Sequence, residues 1–264
     1  MSNFLTFLKS PFGVIKSGLK IQKEYNHAKS IKEKFNVSQL PTVDILDLFP
    51  NLDVKLDSYS FLKGTSLISD MVLLKSFAKK ITDCDYLEIG SWRGESIANV
   101  SKESLTSTAL TLGEDDMRAL NFGESFIDVH GIFSKNIDNL RTFHINTHEY
   151  NFNDLNKTFD LIFIDGDHSF EGVLNDTKKS LSVLKNKESV IVWHDYGNNT
   201  EDVRPSVLEA ILTGVPKEKH KNLYHVSNTM CAIYIEGLNL DTTFTKFPSY
   251  PNKNFEVHVK ANRL

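Results

Sequence analysis

Polar residues that could do chemistry collect at three places in the chain, each directly after an apolar segment. Residues 88–94 read Glu-Ile-Gly-Ser-Trp-Arg-Gly, residues 165–168 read Asp-Gly-Asp-His, and residues 194–196 read His-Asp-Tyr. Glycines let a backbone turn tightly and approach a ligand closely. Carboxylates bind cations, and histidines exchange protons near neutral pH. The three clusters therefore predict a site for a small polar ligand, with proton or cation chemistry beside it.

The first cluster has a glycine spacing that separates it from dinucleotide-binding loops. Gly90 and Gly94 are four residues apart, so the pattern G-x-G-x-x-G is absent. Glu88, at the end of an expected strand, would repel a pyrophosphate and attract an ammonium or sulfonium group. S-adenosylmethionine carries such groups. The alternative is an ordinary strand–turn–helix corner that binds no ligand.

Apolar periodicity predicts alternating helices and strands that would position the clusters. Helices are expected over residues 65–81, 95–105, 115–120, 170–184 and 203–212. Strands are expected over residues 85–89, 108–112, 159–164 and 189–193, with less distinct pieces over 126–129 and 141–145. The segments 223–226 and 230–236 flank Ser-Asn-Thr, which predicts an antiparallel hairpin.

This order of elements predicts an α/β fold. We expect a Rossmann-like, doubly wound, mostly parallel seven-stranded sheet with a C-terminal antiparallel hairpin and a helical N-terminal extension. Ligands bind such sheets beyond the carboxyl ends of the strands, which is where all three clusters lie. Residues 1–60 are expected to form the helical or irregular extension, with loops and short turns over 41–60. Residues 61–264 are expected to form the ligand-binding domain.

The composition is that of a globular protein with one sizeable core. Of 264 residues, 40% are hydrophobic and 24% are charged, and the net charge is −4. That charge argues against a nucleic-acid partner. Cys84 and Cys231 lie far apart in the chain and predict no disulfide. Because no signal peptide or long apolar segment is evident, we expect a cytoplasmic protein.

Near the N-terminus, apolar residues are interleaved with lysines. The apolar residues are Phe4, Leu5, Phe7, Leu8, Phe12, Val14, Ile15 and Leu19, and the lysines among them are Lys9, Lys16 and Lys20. Such a pattern suits a helix lying on a membrane surface. The alternative, which we favour, is a helix that packs on its own domain or on a partner subunit of an oligomer. Pro11 and Gly13 interrupt the pattern and weaken both interpretations.

Taken together, the motifs resemble a known family of enzymes. Glu-x-Gly-x-x-x-Gly after a strand resembles the first motif of class I S-adenosylmethionine-dependent methyltransferases. Residues 159–168 and 190–196 are similar to those of the branch called the methyltransferase 24 group. That branch is related to metal-assisted O-methyltransferases acting on catechols, macrolide sugars and similar hydroxyls. The resemblance covers residues 61–235.

The resemblance implies a set of cofactor-binding residues, with Glu88 and Gly90 at the methionine part and Ser91, Trp92 and Gly94 along the same loop. The acid that grips the ribose would be Glu114, which could instead be an acid favoured by a helix N-terminus. Thr147 and His148 would lie near the adenine, and Asp165 would also contact the cofactor.

The resemblance further implies a divalent metal held by Asp165 and Asp195, with His194 where some relatives have a glutamate. Oxygen ligands suit Mg²⁺, whereas a histidine ligand favours Mn²⁺, Fe²⁺ or Zn²⁺. The alternative is that the aspartate turn only caps the next helix. His168 and Asp165 would be the catalytic residues, with His168 as general base. His168 could instead hydrogen-bond Asp195 or a backbone carbonyl and fix the shape of the site.

These inferences predict a methyltransferase that uses S-adenosylmethionine, with Mg²⁺ or Mn²⁺ assistance, on a hydroxyl of a sugar or other small molecule. One alternative is a nicotinamide-dependent oxidoreductase on a similar sheet, which Glu88 and the glycine spacing disfavour. The other is a non-catalytic binding protein that keeps the fold.

Overall fold

The computed structural model describes residues 11–263, with side chains from residue 17 onward. The apolar residues predicted at positions 4 to 8, and Lys9, lie outside the described residues. Eight α-helices are found in the described part: α1 (Pro11–Phe35), α2 (Ile45–Leu48), α3 (Ile68–Lys80), α4 (Glu95–Val100), α5 (Glu114–Ala119), α6 (Glu124–Ile127), α7 (Phe170–Leu181) and α8 (Pro205–Gly214). Three short 3-10 helices span Ser101–Glu103, Phe152–Leu155 and Lys217–Asn222.

All strands of the described part belong to one sheet: β1 (Thr42–Val43), β2 (Asp85–Ile89), β3 (Thr106–Thr111), β4 (Leu140–His144), β5 (Leu161–Ile164), β6 (Val190–Trp193), β7 (Leu223–Val226), β8 (Ala232–Tyr234) and β9 (Thr242–Thr243). Their order is β4-β3-β2-β5-β6-β8-β7-β1-β9. Strand β8 runs antiparallel to β6 and β7, and β9 runs antiparallel to β1, while the other pairs are parallel.

The predicted Rossmann-like α/β fold and the C-terminal hairpin are confirmed, but the predicted strand number is wrong. The sheet has nine strands, not seven. The two extra strands, Thr42–Val43 and Thr242–Thr243, are two residues long. A period-two pattern needs at least four residues to be recognised, so neither strand leaves a signal in the sequence.

The central strands are covered on both faces, as their apolar sequences predict. In β5, Ile162 and Ile164 face one apolar cluster while Leu161 and Phe163 face the other. This alternation follows from the strand geometry, in which successive side chains point to opposite faces. Each such side chain contributes about 1.5–3 kcal/mol when fully buried. The two layers therefore fix the strand ends that carry the polar clusters.

The helix predicted over 95–105 is shorter than expected. It ends at Val100, and a 3-10 turn follows to Glu103. The side-chain amide of Asn139 donates to the carbonyls of Ser101 and Ser104, at 2.9 Å in each case. These bonds satisfy helix-end carbonyls that would otherwise lack partners, so the chain can turn into β3. The piece predicted at 126–129 is the end of the short helix α6.

The N-terminal helix α1 packs on α8 through polar contacts. The buried carboxylate of Glu209 accepts hydrogen bonds from Lys34 Nζ at 2.9 Å and from the Ser30 hydroxyl, and it lies 2.7 Å from His27 Nδ1. The carboxylate of Glu24 accepts bonds from the backbone and side chain of Ser206, at 2.9 and 2.8 Å. The α1 helix is thus attached along its second half.

The start of the segment 41–60, predicted as loop and short turns, instead contains strand β1 and helix α2. Strand β1 pairs with β7, and Val43, Ile45 and Leu48 are buried in the core. The domain boundary at residue 60 stays a prediction, but this stretch packs as part of the same layer. Among residues 11–263, no helix is long and apolar enough to cross a membrane.

Candidate active site at the carboxyl ends of the strands

The glycine loop leaves β2, which lies between β3 and β5 in the sheet. Gly90 has φ +93°, a left-handed conformation that favours glycine. A Cβ atom there would lie 2.3 Å from the Asp165 carbonyl oxygen and from Gly166 Cα. The glycine is therefore required because two strand ends approach each other closely. Gly94, at φ +86°, is similarly tight against Ser134, at 2.8 Å.

Replacing Gly90 with alanine is expected to destabilise the fold by about 4 kcal/mol or more, because the new methyl group would overlap backbone atoms that cannot move aside. Gly113 is a matched control in the loop after β3. Its φ is −73°, and its nearest contacts to a built Cβ are 3.5 and 3.6 Å. Gly113→Ala should change the free energy of unfolding by less than about 1 kcal/mol. Thermal unfolding compares the two variants, and equal melting temperatures would contradict this explanation.

Glu88 is buried at the end of β2 and held by two hydroxyl groups. Its carboxylate accepts hydrogen bonds from Tyr86 Oη at 2.7 Å and Ser96 Oγ at 2.8 Å. Burial raises the pKa of Glu88 to about 7, although these hydrogen bonds oppose the rise. A positively charged ligand bound at this loop would therefore stabilise the ionised form of Glu88.

Two further loop residues make different contacts. The Ser91 hydroxyl is buried and makes no hydrogen bond of good geometry among the described residues. It lies close enough to Glu88 to lower the pKa of that carboxyl. A buried hydroxyl without a partner suits a polar ligand. Trp92 stacks on Phe126 with ring centroids 4.2 Å apart and donates from Nε1 to the Phe126 carbonyl at 3.1 Å. The Trp92 side chain is therefore engaged by protein groups.

The remaining predicted cofactor residues follow the ends of β3 and β4. Glu114 is exposed and pairs with Arg118 at 3.2 Å. His148 is exposed, and the Thr147 carbonyl accepts from Asn175 Nδ2 at 3.2 Å. Their roles toward a ribose or an adenine stay predictions.

The second and third polar clusters meet at the ends of β5 and β6. Asp165 Oδ1 lies 3.0 Å from His194 Nδ1, and Asp195 Oδ1 lies 3.2 Å from the same nitrogen. His168 Nδ1 lies 2.5 Å from Asp195 Oδ2, and His168 Nε2 lies 3.6 Å from Asp165 Oδ1. The fold thus brings together all four residues that the sequence predicted for metal binding and proton transfer.

Asp70 orients His194 and was not predicted from the sequence. It is fully buried in the first turn of α3, and its Oδ2 lies 3.2 Å from His194 Nε2. It also accepts from the backbone N–H groups of Met230 at 2.8 Å and Leu67 at 3.0 Å. An acid in the first turn of a helix is ordinary, so sequence alone gave no reason to place it in the site.

These contacts test whether the residues fit a divalent cation. With Nε2–H directed at Asp70, a neutral His194 would present a lone pair at Nδ1. This nitrogen is buried, faces the carboxylates of Asp165 and Asp195, and makes no hydrogen bond of good geometry among the described residues. A lone pair opposite two carboxylates needs a cation or a proton between them. The carboxylate–histidine pair behind it is also the usual support of a metal-ligating histidine.

The most compact donor set differs from the predicted one by one residue. Ligand atoms of Asp165, His168 and His194 all lie within 4.8 Å of one another. The Oδ2 atom of Asp195 instead pairs with His168 Nδ1 and with the Arg204 guanidinium, which lies 2.8 Å away. The site thus fits a divalent ion at Asp165 and His194. Whether His168 or Asp195 completes the set stays a prediction.

Charge in the cluster is strongly coupled. Burial alone would raise the pKa of Asp195, but the hydrogen bond from His168 and the charges of His194 and Arg204 lower it to about 2. Burial alone would lower the pKa of His194, but Asp165 and Asp70 raise it well above its ordinary value. The Asp195 carboxylate therefore stays negative at neutral pH, and positive charge is favoured beside it.

A cleft of about 540 Å³ opens beside His168. Its walls are the α1 helix, the turn before α7 and the start of α8, with Lys20, Lys23, His27, His168, Phe170 and Arg204 among its lining residues. His27 stacks on Phe170 with ring centroids 5.4 Å apart. The sequence did not predict this wall, because α1 lies about 140 residues before the cluster it faces.

A family model described as "Methyltransferase domain" matches residues 87–196. This segment contains the glycine loop and both strand-end clusters. The match identifies residues 87–196 as a methyltransferase domain. The prediction of a class I methyltransferase is thereby confirmed, and the matched range ends at Tyr196, directly after the third cluster.

Several solved structures are similar to this chain. Cofactor-bound Rv0187 from MTB is 16% identical, with a TM-score of 0.47, over 67% of this chain and 84% of that one. The O-methyltransferase from Bacillus cereus in complex with SAH is 15% identical, with a TM-score of 0.45, over 65% and 82%. The O-methyltransferase NovP is 12% identical, with a TM-score of 0.47, over 64% and 79%. No curated protein sequence matches the chain.

Proposed function

We propose that the protein transfers the methyl group of S-adenosylmethionine to a hydroxyl group of a small molecule, with a divalent ion at the Asp165–His194 cluster. The observation that carries the proposal is the meeting of two features at neighbouring strand ends. One is the glycine loop with its buried Glu88, and the other is His194 Nδ1 aimed between Asp165 and Asp195.

The glycine loop would hold the cofactor. Glu88 offers a carboxylate whose ionised form gains most from a nearby ammonium or sulfonium group, because burial has raised its pKa to about 7. The Ser91 hydroxyl provides a buried polar group beside it. S-adenosylmethionine supplies the methyl group as an electrophile on sulfur. Glu88 and Ser91 would orient that donor toward the ends of β5 and β6.

The cluster would activate the acceptor. A divalent ion, when bound, lowers the pKa of an acceptor hydroxyl and orients it. Asp195 would hold His168 by its Nδ1 atom, and Nε2, which lies 3.6 Å from Asp165 Oδ1, would take the hydroxyl proton. As the acceptor oxygen bonds to the methyl carbon, the carbon–sulfur bond breaks and S-adenosylhomocysteine leaves. Alignment of donor and acceptor by the two loops lowers the barrier further.

The acceptor would occupy the cleft of about 540 Å³ beside His168. That volume admits a sugar-sized or drug-sized molecule. The stacked rings of His27 and Phe170 offer a flat wall, and Lys20, Lys23 and Arg204 offer hydrogen-bond donors. A hydroxyl-bearing sugar or aromatic compound matches this lining.

Label transfer from methyl-labelled S-adenosylmethionine to a panel of sugars, nucleotide sugars and catechols tests the proposal. We expect an alkali-stable methyl ether whose formation stops in EDTA and resumes with Mg²⁺ or Mn²⁺. Calorimetry with S-adenosylhomocysteine and with NAD separates this proposal from an oxidoreductase. A folded protein that ignores S-adenosylhomocysteine but binds NAD would overturn it.

A further inference from the structure

We propose that the first half of α1 docks the protein on the surface of an anionic lipid bilayer, with the acceptor cleft opening beside that surface. The proposal concerns a surface outside the methyl-transfer site and does not depend on the reaction. The α1 helix has 25 residues and is therefore about 37 Å long. Its contacts with Glu209 and Ser206 begin at Glu24 and continue to Lys34. Among residues 17–23, the part of the preceding half whose side chains are described, no such contact is found.

The described side chains of the first half of α1 are exposed. Residues 17–23 are all exposed, whatever side of the helix they occupy. Leu19, Ile21 and Tyr25 are 62%, 70% and 63% exposed. Ile21 and Tyr25 are four residues apart and so lie on one helix face, where apolar side chains gain most from insertion into a lipid interface.

Positive charge is concentrated on α1 and the residues before it in the sequence. Residues 1–35 contain seven lysines and two glutamates, a formal charge of +5. The remaining 229 residues contain 23 basic and 32 acidic residues, a formal charge of −9. Because the helix is basic and the rest of the protein is acidic, the protein would approach an anionic surface with the helix foremost. Each lysine near such a surface strengthens binding by about fivefold.

Other occupants of this face fit less well. Two copies of the helix, paired through Ile21 and Tyr25, would bring their lysines together, and like charges repel. A nucleic acid would match the lysines but leave Ile21 and Tyr25 in water. An anionic bilayer satisfies both the positive charges and the apolar side chains, because its headgroups are charged and its acyl boundary is apolar.

The position of the helix gives the contact a consequence for the acceptor. Lys20, Lys23 and His27 of the same helix line the cleft beside His168. These residues lie on the other side of the helix from Ile21 and Tyr25, so a helix lying on the bilayer would hold the cleft about one helix diameter, roughly 10 Å, from the membrane surface. Acceptors attached to lipid, or concentrated at the headgroups, would reach the cleft.

Co-sedimentation of the full chain with vesicles tests the inference. We expect binding to vesicles of phosphatidylcholine mixed with phosphatidylglycerol, weak binding to phosphatidylcholine alone, and loss of binding at high salt. Ile21→Glu combined with Tyr25→Glu should weaken binding at least about tenfold.

Leu105→Glu is the matched control. Leu105 is 57% exposed but lies just before β3, at the opposite ends of the strands from the site. It should bind vesicles like the unmodified chain. All variants should bind S-adenosylhomocysteine equally, which separates this test from the test of the proposed reaction. Absence of binding to anionic vesicles would overturn the inference, as would binding that the helix variant does not change. A dimer that dissociates in the Ile21→Glu and Tyr25→Glu variant would assign the face to self-association instead.

Discussion

Replacing Glu88 with glutamine is expected to stabilise the free protein above pH 7 while it weakens binding of S-adenosylhomocysteine at least about tenfold. Burial raises the pKa of Glu88 from its ordinary 4.5 to about 7. Because the folded pKa is the higher one, stability is complete below pH 4.5 and is lost as the pH rises from 4.5 to 7. The loss is about 3 kcal/mol at pH 8, and glutamine should abolish it.

Thermal unfolding of both proteins between pH 4 and pH 8 measures this effect. The two curves should meet near pH 4 and separate by several degrees near pH 8. The unmodified protein should also bind S-adenosylhomocysteine about tenfold more tightly at pH 8 than at pH 6, as Glu88 ionises. The exposed Glu188 provides the control, because Glu188→Gln should change neither curve. A Glu88→Gln variant that keeps full affinity for the ligand would remove Glu88 from the cofactor site.

Replacing Asp165 with asparagine is expected to abolish metal binding and to lower turnover by about a thousandfold. The side chain of Asp165 is one of two carboxylates that face the unpartnered nitrogen of His194, at 3.0 Å. Without its charge the cluster loses much of its attraction for a cation, and the several kcal/mol that an ion contributes to activating a hydroxyl are lost. Affinity for S-adenosylhomocysteine should change only a fewfold, because Glu88 and the glycine loop are untouched.

Electron paramagnetic resonance of Mn²⁺ measures the metal, and label transfer measures turnover. Asp167→Asn is the matched control from the same turn. Its carboxylate accepts from the backbone N–H and the hydroxyl of Ser169, at 3.0 and 2.6 Å, at the start of α7. That variant should keep Mn²⁺ binding and lose only stability. Full turnover of Asp165→Asn in EDTA would show that the cluster works without an ion.

The main features of the fold could be read from the sequence because they depend on local pattern. The apolar segment Leu161–Ile164 predicts a strand buried on both faces, and in the structure this segment is such a strand. The glycine loop and the two acidic turns fall at strand ends for the same reason. Strands Thr42–Val43 and Thr242–Thr243 left no pattern, and their pairing across 200 residues was decided by the sheet itself.

The site could be predicted only in part. Glu88 was found from its type and position, but its pairing with Tyr86 and Ser96, and the resulting pKa of about 7, depend on how the core closes around it. Gly90 was predicted as a ligand contact, and the structure adds a second reason for it, since the Asp165 backbone passes at a distance that excludes any side chain.

By itself, the sequence determined which residue types follow the buried strands, because side-chain periodicity and strand length are local properties of the chain. Only the tertiary structure decided that Asp70 from α3 supports His194 from β6, that Arg204 neutralises Asp195, and that α1 forms a wall of the cleft. The residues joined by these contacts lie between 9 and about 140 positions apart in the sequence. The packing of helices on the sheet determines these contacts, and no spacing of residues in the sequence predicts them.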